Sequence, residues 1–172
     1  MVIVLWILGL IVLIFGVVVF RGAPYVPSRR KDVRRAFEEL YPLSQQDVVV
    51  DIGSGDGVVL REAAMHGARA VGYELNPILV VISRLLSRSY KNRISIHLAD
   101  FWHRTLPDDM TAVYTFGESR DIERMAKKVG EEATRLGRPI YFISYAFKLR
   151  DRAPEKEVGA HVLYKLEPLQ VS

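Results

Sequence analysis

The chain has 172 residues, 49% hydrophobic and 26% charged; with an apolar N-terminal run set aside, roughly 150 remain, enough for one core. Cysteine is absent, which excludes disulfides, thiolate nucleophiles and cysteine-ligated metal sites, and His66, His97, His103 and His161 are scattered without a pair at helical ligand spacing, so no metal is expected. The net charge of +4 does not mark a nucleic-acid partner: residues 1–35 hold six cations against Asp32 alone, and residues 36–172 carry a net charge of −1.

Residues 2–20 (VIVLWILGLIVLIFGVVVF) contain no charge over 19 positions. At about 1.5 Å per residue such a helix covers roughly 28 Å, close to the hydrocarbon thickness of a bilayer. Nothing basic except the terminal amine precedes it, and no small-residue cleavage site follows, which favours an uncleaved anchor over a signal peptide. The cations that follow, Arg21, Arg29, Arg30 and Lys31 among them, predict an outward N-terminus and a domain on the cytoplasmic side, or the matrix side of a mitochondrial membrane. The expected layout is therefore an anchor over 1–21, a linker over 22–28 stiffened by two prolines, and a domain over 29–172.

Ser28 is positioned to cap a helix running to about residue 40, in which Val33, Ala36, Phe37 and Leu40 form one apolar face. From residue 47, β-branched runs alternate with helical stretches, the pattern of a parallel sheet with crossover helices. Strands are predicted near 47–52, 68–74, 93–99, 111–116 and 139–145. Helices fall near 57–66, 77–89 and 119–136, the second opened by Asn76 and Pro77 and the third closed by Gly137. A last strand near 159–166 is expected to be antiparallel, at or near an edge.

Three strand ends carry acids. In VVVDIGSGDG, an apolar strand ends in Asp51, and Gly53, Gly55 and Gly57 alternate with Ser54 and Asp56 before a helix begins. Ligands of open α/β sheets sit beyond the carboxyl ends of strands, and a glycine turn there lets backbone approach them. The third glycine comes one residue too early for a dinucleotide fingerprint, and an acid two residues before the first glycine suits an amino group better than a phosphate. In GYELNP, Glu74 stands 23 residues after Asp51, where a carboxylate accepts hydrogen bonds from ribose hydroxyls. In HLADFW, Asp100 is placed for an adenine amino group, with Phe101 and Trp102 beside it to pack on the ring. Taken singly, a glycine turn is also a plain strand-to-helix connection, and each acid is also a solvated strand end; the three together favour a site.

VVVDIGSGDG, GYELNP and LADFW together resemble the class I S-adenosylmethionine-dependent methyltransferases, whose fold is a Rossmann-like α/β sheet with flanking helices. PYVPS at 24–28, SRLLS at 83–87 and TFG at 115–117, in that order around the same motifs, are similar to the FAM173-type membrane-anchored protein-lysine methyltransferases. That resemblance covers nearly the whole chain. It implies S-adenosylmethionine as cofactor, with Asp51 and the loop of Gly53, Ser54, Gly55 and Gly57 at the methionine end, Glu74 at the ribose, and Asp100 with Phe101 at the adenine. It implies a membrane protein with an accessible lysine as acceptor and the lipid bilayer as a second partner. A lipid acceptor and a non-enzymatic cofactor-binding membrane module are the alternatives. The chain departs from the family after TFG, where Glu118-Ser119-Arg120-Asp121 replaces an apolar, proline-containing turn. Glu118 is thereby the candidate catalytic residue, either orienting an incoming amine or standing as an acid in a helix's first turn.

Overall fold

The computed structural model describes residues 28–116 and 121–169, together with 2, 4–6 and 9. Within them lie helix α1 (Arg30–Arg35), which runs into a π-helical turn (Ala36–Leu40), then β1 (Val48–Ile52), α2 (Val58–Met65), β2 (Arg69–Glu74), α3 (Pro77–Leu86) and β3 (Ile94–Leu98). After a 3-10 turn (Phe101–His103) come β4 (Ala112–Thr115), α4 (Ile122–Leu136), β5 (Ile140–Tyr145), β6 (Lys156–Val158) and β7 (His161–Leu166).

The strands form one sheet of order β3-β2-β1-β4-β5-β7-β6. β1 to β5 run parallel, and β7 is antiparallel to both β5 and β6. All five residues of β1 are buried, which is why VVVDI reads as a continuous run and not as an alternation. The sheet is covered on both faces. Val49, Ala70, Tyr114, Ile143 and Leu163 pack under α1, its π-helical turn, α2 and α3 through Val33, Phe37, Leu40, Leu60, Ala63 and Val80. Val50, Val113, Phe142 and Tyr164 pack on the other face under α4 through Ile122, Ala126, Val129 and Ala133. Strand order reverses between β1 and β4, so the two crossovers leave in opposite directions and open a crevice beyond these carboxyl ends, where sheets of this kind hold ligands.

Local signals act as the residue types dictate. Asn76 Oδ1 accepts from the backbone N–H groups of Ile78 (2.9 Å) and Leu79 (3.4 Å), with Pro77 at the first helical position. Gly137 ends α4 at φ +65°. Buried Glu62 of α2 accepts from Arg30 and from Arg34 (3.2 Å), tying α1 across α2.

Several expectations are corrected. Ser28 does not cap the first helix: the cap position is Arg29, without a side-chain bond, and the helix widens after Arg35 into a π turn closed by Tyr41 N–H to Ala36 O (2.9 Å). This wider turn brings Ala36, Phe37 and Leu40 all into the core. α3 stops at Leu86, followed by a separate 3-10 turn (Arg88–Tyr90). The last strand is antiparallel and near an edge as expected, and the short strand β6, not anticipated, covers its outer side. Most of the apolar run at 2–20, the linker at 22–27, and Glu118 with the start of the expected helix at 119 lie outside the described residues.

The localisation is also corrected. Among the described residues no helix is long and apolar enough to cross a membrane; the longest, α4, has 15 residues and one buried face, against the roughly 20 apolar residues a span requires. The expected single-pass membrane placement is therefore not sustained.

Candidate functional site

Asp51 and Ile52 end β1, and the chain then turns back over β2: the N–H groups of Gly53 and Ser54 both donate to Tyr73 O, at 2.9 and 3.1 Å. Gly53 and Gly57 adopt φ +71° and +81°, where a side chain is strained. A Cβ on Gly53 would meet nothing within 4 Å, so the loop is open on that side. A Cβ on Gly57 would lie 2.2 Å from Ser83 Oγ of α3, and one on Gly72 would lie 2.6 Å from Ser54 Oγ. The loop is thus clamped between β2 and α3, and Ser54 and Ser83 are both buried with hydroxyls that have no partner among the described residues. Asp56 is used within the loop, accepting from Val58 N–H (3.2 Å) and pairing with Arg61 (3.5 Å).

Glu74 ends β2 with both oxygens engaged: Oε2 accepts from Gly55 N–H (2.8 Å) and Oε1 from Asn76 N–H (2.8 Å). A carboxylate oxygen has a second lone pair, so this leaves acceptor capacity for ligand hydroxyls. Its first structural task is to hold the middle of the glycine loop. Asp51 is different. It is 3% exposed, its Oδ2 has no partner among the described residues, and burial, then the neighbouring charges of Glu74 and Asp56, hold its carboxyl well above the usual carboxylate range.

Asp100 follows β3 as the cap of a 3-10 turn, accepting from Trp102 N–H (3.0 Å) and facing His103 Nδ1 (3.0 Å). The Phe101 ring is buried in the core and meets Trp102 edge-on at 5.3 Å, while the Arg124 guanidinium lies 4.2 Å from the centre of the Trp102 ring. Of the residues expected to form the site, the structure brings Asp51, Gly53, Gly55 and Glu74 into one connected group. Asp100 stands at the end of β3, the strand beyond β2, and Phe101 serves packing.

Sequence reasoning missed a cluster of Tyr114, Tyr145 and His161 on β4, β5 and β7. Tyr114 of β4 is the register partner of Asp51, and its hydroxyl lies 2.9 Å from Nε2 of His161 on β7. His161 pairs with Tyr145 at the carboxyl end of β5, with ring centres 4.8 Å apart, and Phe116 meets Tyr145 at 4.7 Å. No sequence signal located His161, because its position depends on the antiparallel register of β7 against β5. Which partner donates in the Tyr114–His161 bond follows the imidazole tautomer, and burial holds the His161 pKa down at about 4.

The sign of that shift gives an expected result. Unfolded histidine titrates near 6.5, so between there and about 4 the unfolded chain binds the extra proton. Stability supplied by neutral His161 is complete above pH 6.5 and is lost as pH falls. From pH 7 to 5 the loss is on the order of 2 kcal/mol. Urea unfolding at the two pH values reads it, and His161→Gln, which keeps an acceptor for Tyr114, removes that share of the pH dependence.

A glycine loop and acids at a strand-order reversal, under a seven-stranded sheet with one reversed strand, define a class I methyltransferase fold. Solved structures agree: an RNA methyltransferase from Salinibacter ruber, in complex with S-adenosyl-L-homocysteine, is 25% identical with a TM-score of 0.73, over 86% of this chain and 97% of that one. The profile of the ANTKMT methyltransferase domain matches residues 51–156, and the chain belongs to this family of S-adenosylmethionine-dependent methyltransferases. A lysine N-methyltransferase from Xenopus laevis, named for a subunit of ATP synthase, is 36% identical over 121 residues, 68% of this chain and 51% of that protein. A protein-lysine N-methyltransferase from Saccharolobus islandicus (strain REY15A) is 29% identical over 78% of this chain and 83% of its own length. The chain thus spans about half the length of the Xenopus relative.

Proposed function

We propose that the chain binds S-adenosylmethionine beyond β1 and β2 and directs its methyl group to the side-chain nitrogen of a lysine in another protein. The observation that carries this reading is Asp51, a buried carboxylate with one oxygen that has no partner among the described residues, its pKa raised by burial and then by the charges of Glu74 and Asp56. The ligand's α-ammonium is such a cation, and the open side of Gly53 admits the atoms beside it. Glu74 keeps lone pairs for the ribose hydroxyls, and Asp100 keeps one on each oxygen for the adenine amino group. When bound, S-adenosylmethionine supplies an electrophilic methyl carbon, so no side-chain nucleophile is needed.

The chain's remaining tasks are to align the amine and exclude water. A free lysine has a pKa near 10.4, so reaching the neutral amine at pH 7 costs about 4.6 kcal/mol. The rings of Phe116 and Tyr145 form an apolar margin that lowers this cost by desolvating the ammonium, and neutral His161 and Tyr114 add no charge to hold the proton. Lysine as acceptor is supported by the names of the relatives. A membrane protein bearing that lysine is the finer proposal, supported by the sequence resemblance.

Calorimetry of the purified chain with S-adenosylmethionine, then transfer of a radiolabelled methyl group to cell extract, tests the reading. The expected result is saturable binding and acid-stable label in protein, recovered as methyl-lysine, with fractionation showing whether the labelled protein is membrane-borne. Binding of NAD without S-adenosylmethionine, or label confined to lipid or RNA, rejects it.

A further inference from the structure

Helix α3 presents an apolar face to the outside. Val81 and Leu85, and beside them Ile82 and Leu86, repeat at four-residue spacing and are 54, 61, 38 and 52% exposed, while Val80, Ser83 and Ser87 face the sheet. Leu75 and Leu98, exposed at the carboxyl ends of β2 and β3, extend the surface to the cofactor side of the sheet. No described residue covers this face.

Its charge is one-sided. Between Glu74 and Asp100 the chain has no acid and four cations, Arg84, Arg88, Lys91 and Arg93. Arg84 donates to Ile96 O (2.7 Å), and Arg93 donates to Gly67 O. Arg88 and Lys91 have no acidic partner among the described residues, and with Arg84, Ser87, Ile94 and Ile96 they line a hollow of about 290 Å³. The Ser87 hydroxyl is buried, again without a hydrogen-bond partner among the described residues. On the helical circle Arg84 flanks the apolar arc on the side of Val81, and Arg88 follows in the 3-10 turn after α3.

We propose that this face, α3 with the outer end of β3, docks peripherally on an anionic lipid surface, the leucines and valine entering the headgroup layer and the cations meeting lipid phosphates. Aliphatic side chains beside a rim of cations that have no acidic partner among the described residues match that chemistry. A second copy of the chain docking by the same patch would set like charges against each other. Single-stranded nucleic acid is bound by stacking on exposed aromatic rings, which this arc lacks. Docking of this kind requires no spanning helix, and it would hold the carboxyl edge of β2 and β3 against the surface.

The proposal is independent of methyl transfer and is tested without cofactor. Because the chain has no cysteine, Leu85→Cys places a single environment-sensitive fluorophore on the face, and Glu131→Cys on exposed α4 is the control. Vesicles of phosphatidylcholine with one third phosphatidylserine are expected to blue-shift the Leu85 probe alone. Phosphatidylcholine alone, or raised salt, should weaken the response. Arg88→Glu with Lys91→Glu, in the labelled full chain, should reduce apparent affinity about tenfold or more. Vesicle binding in sedimentation without a shift at position 85 would place the contact elsewhere and overturn the proposal. A shift with an RNA oligonucleotide and none with vesicles would overturn it in favour of nucleic acid.

Discussion

Asp51→Asn is expected to stabilise the ligand-free protein while weakening S-adenosylmethionine binding more than a hundredfold. Asp51 is buried, one oxygen has no partner among the described residues, and the nearest charges acting on it, Glu74 and Asp56, are negative. An isosteric neutral amide removes an uncompensated buried charge and its repulsion, worth about 1–2 kcal/mol and roughly 3–6 °C in melting temperature. The pH dependence gives a second signature. A carboxyl whose folded pKa is raised holds its proton more tightly in the folded state, so its contribution is fully present below the unfolded value near 3.9 and is lost as pH rises through the folded pKa. The advantage of the amide variant is therefore greatest at neutral pH and vanishes in acid. Binding moves the other way: the ligand's ammonium favours the carboxylate, and its loss should cost roughly 3 kcal/mol, more than a hundredfold in affinity. Scanning calorimetry from pH 4 to 8 and titration calorimetry read the two effects. A variant that melts lower and still binds would remove Asp51 from the ligand site.

Glu74→Gln should weaken both the fold and the ligand site. The two carboxylate oxygens accept from Gly55 and Asn76 N–H groups, both at 2.8 Å in a buried setting. Glutamine supplies one oxygen and one NH₂, so one backbone donor faces another donor and stays unsatisfied. The expected loss is about 1.5–3 kcal/mol in the ligand-free protein, measured by urea unfolding. The proposed ribose contact adds a further loss of similar size, because the same carboxylate serves both. An unchanged unfolding curve with weaker binding would mean that the carboxylate does not hold the loop.

Much of the architecture was legible because it is written in local patterns. The buried run VVVDI, the Asn76-Pro77 start and the Gly137 stop each act over a few residues, and the strands lie within a residue or so of their expected places. Strand β6 escaped notice because KEV has three residues and one partner, too short for periodicity to register. The π turn after Arg35 was equally silent, since its apolar spacing is that of an ordinary helix.

At the site, the sequence by itself determined which residues end the strands and that glycines follow Asp51, since strand direction alone sends those ends to one edge. Only the tertiary structure decided their states. Glu74 is committed to the loop and Asp51 keeps an oxygen with no partner among the described residues because the loop folds back over Tyr73 and presents Gly55 N–H to one acid and not the other. Tyr114, Tyr145 and His161 meet because β7 runs antiparallel beside β5 in one register, a pairing of residues 16 apart at Tyr145 and His161 that no local preference encodes.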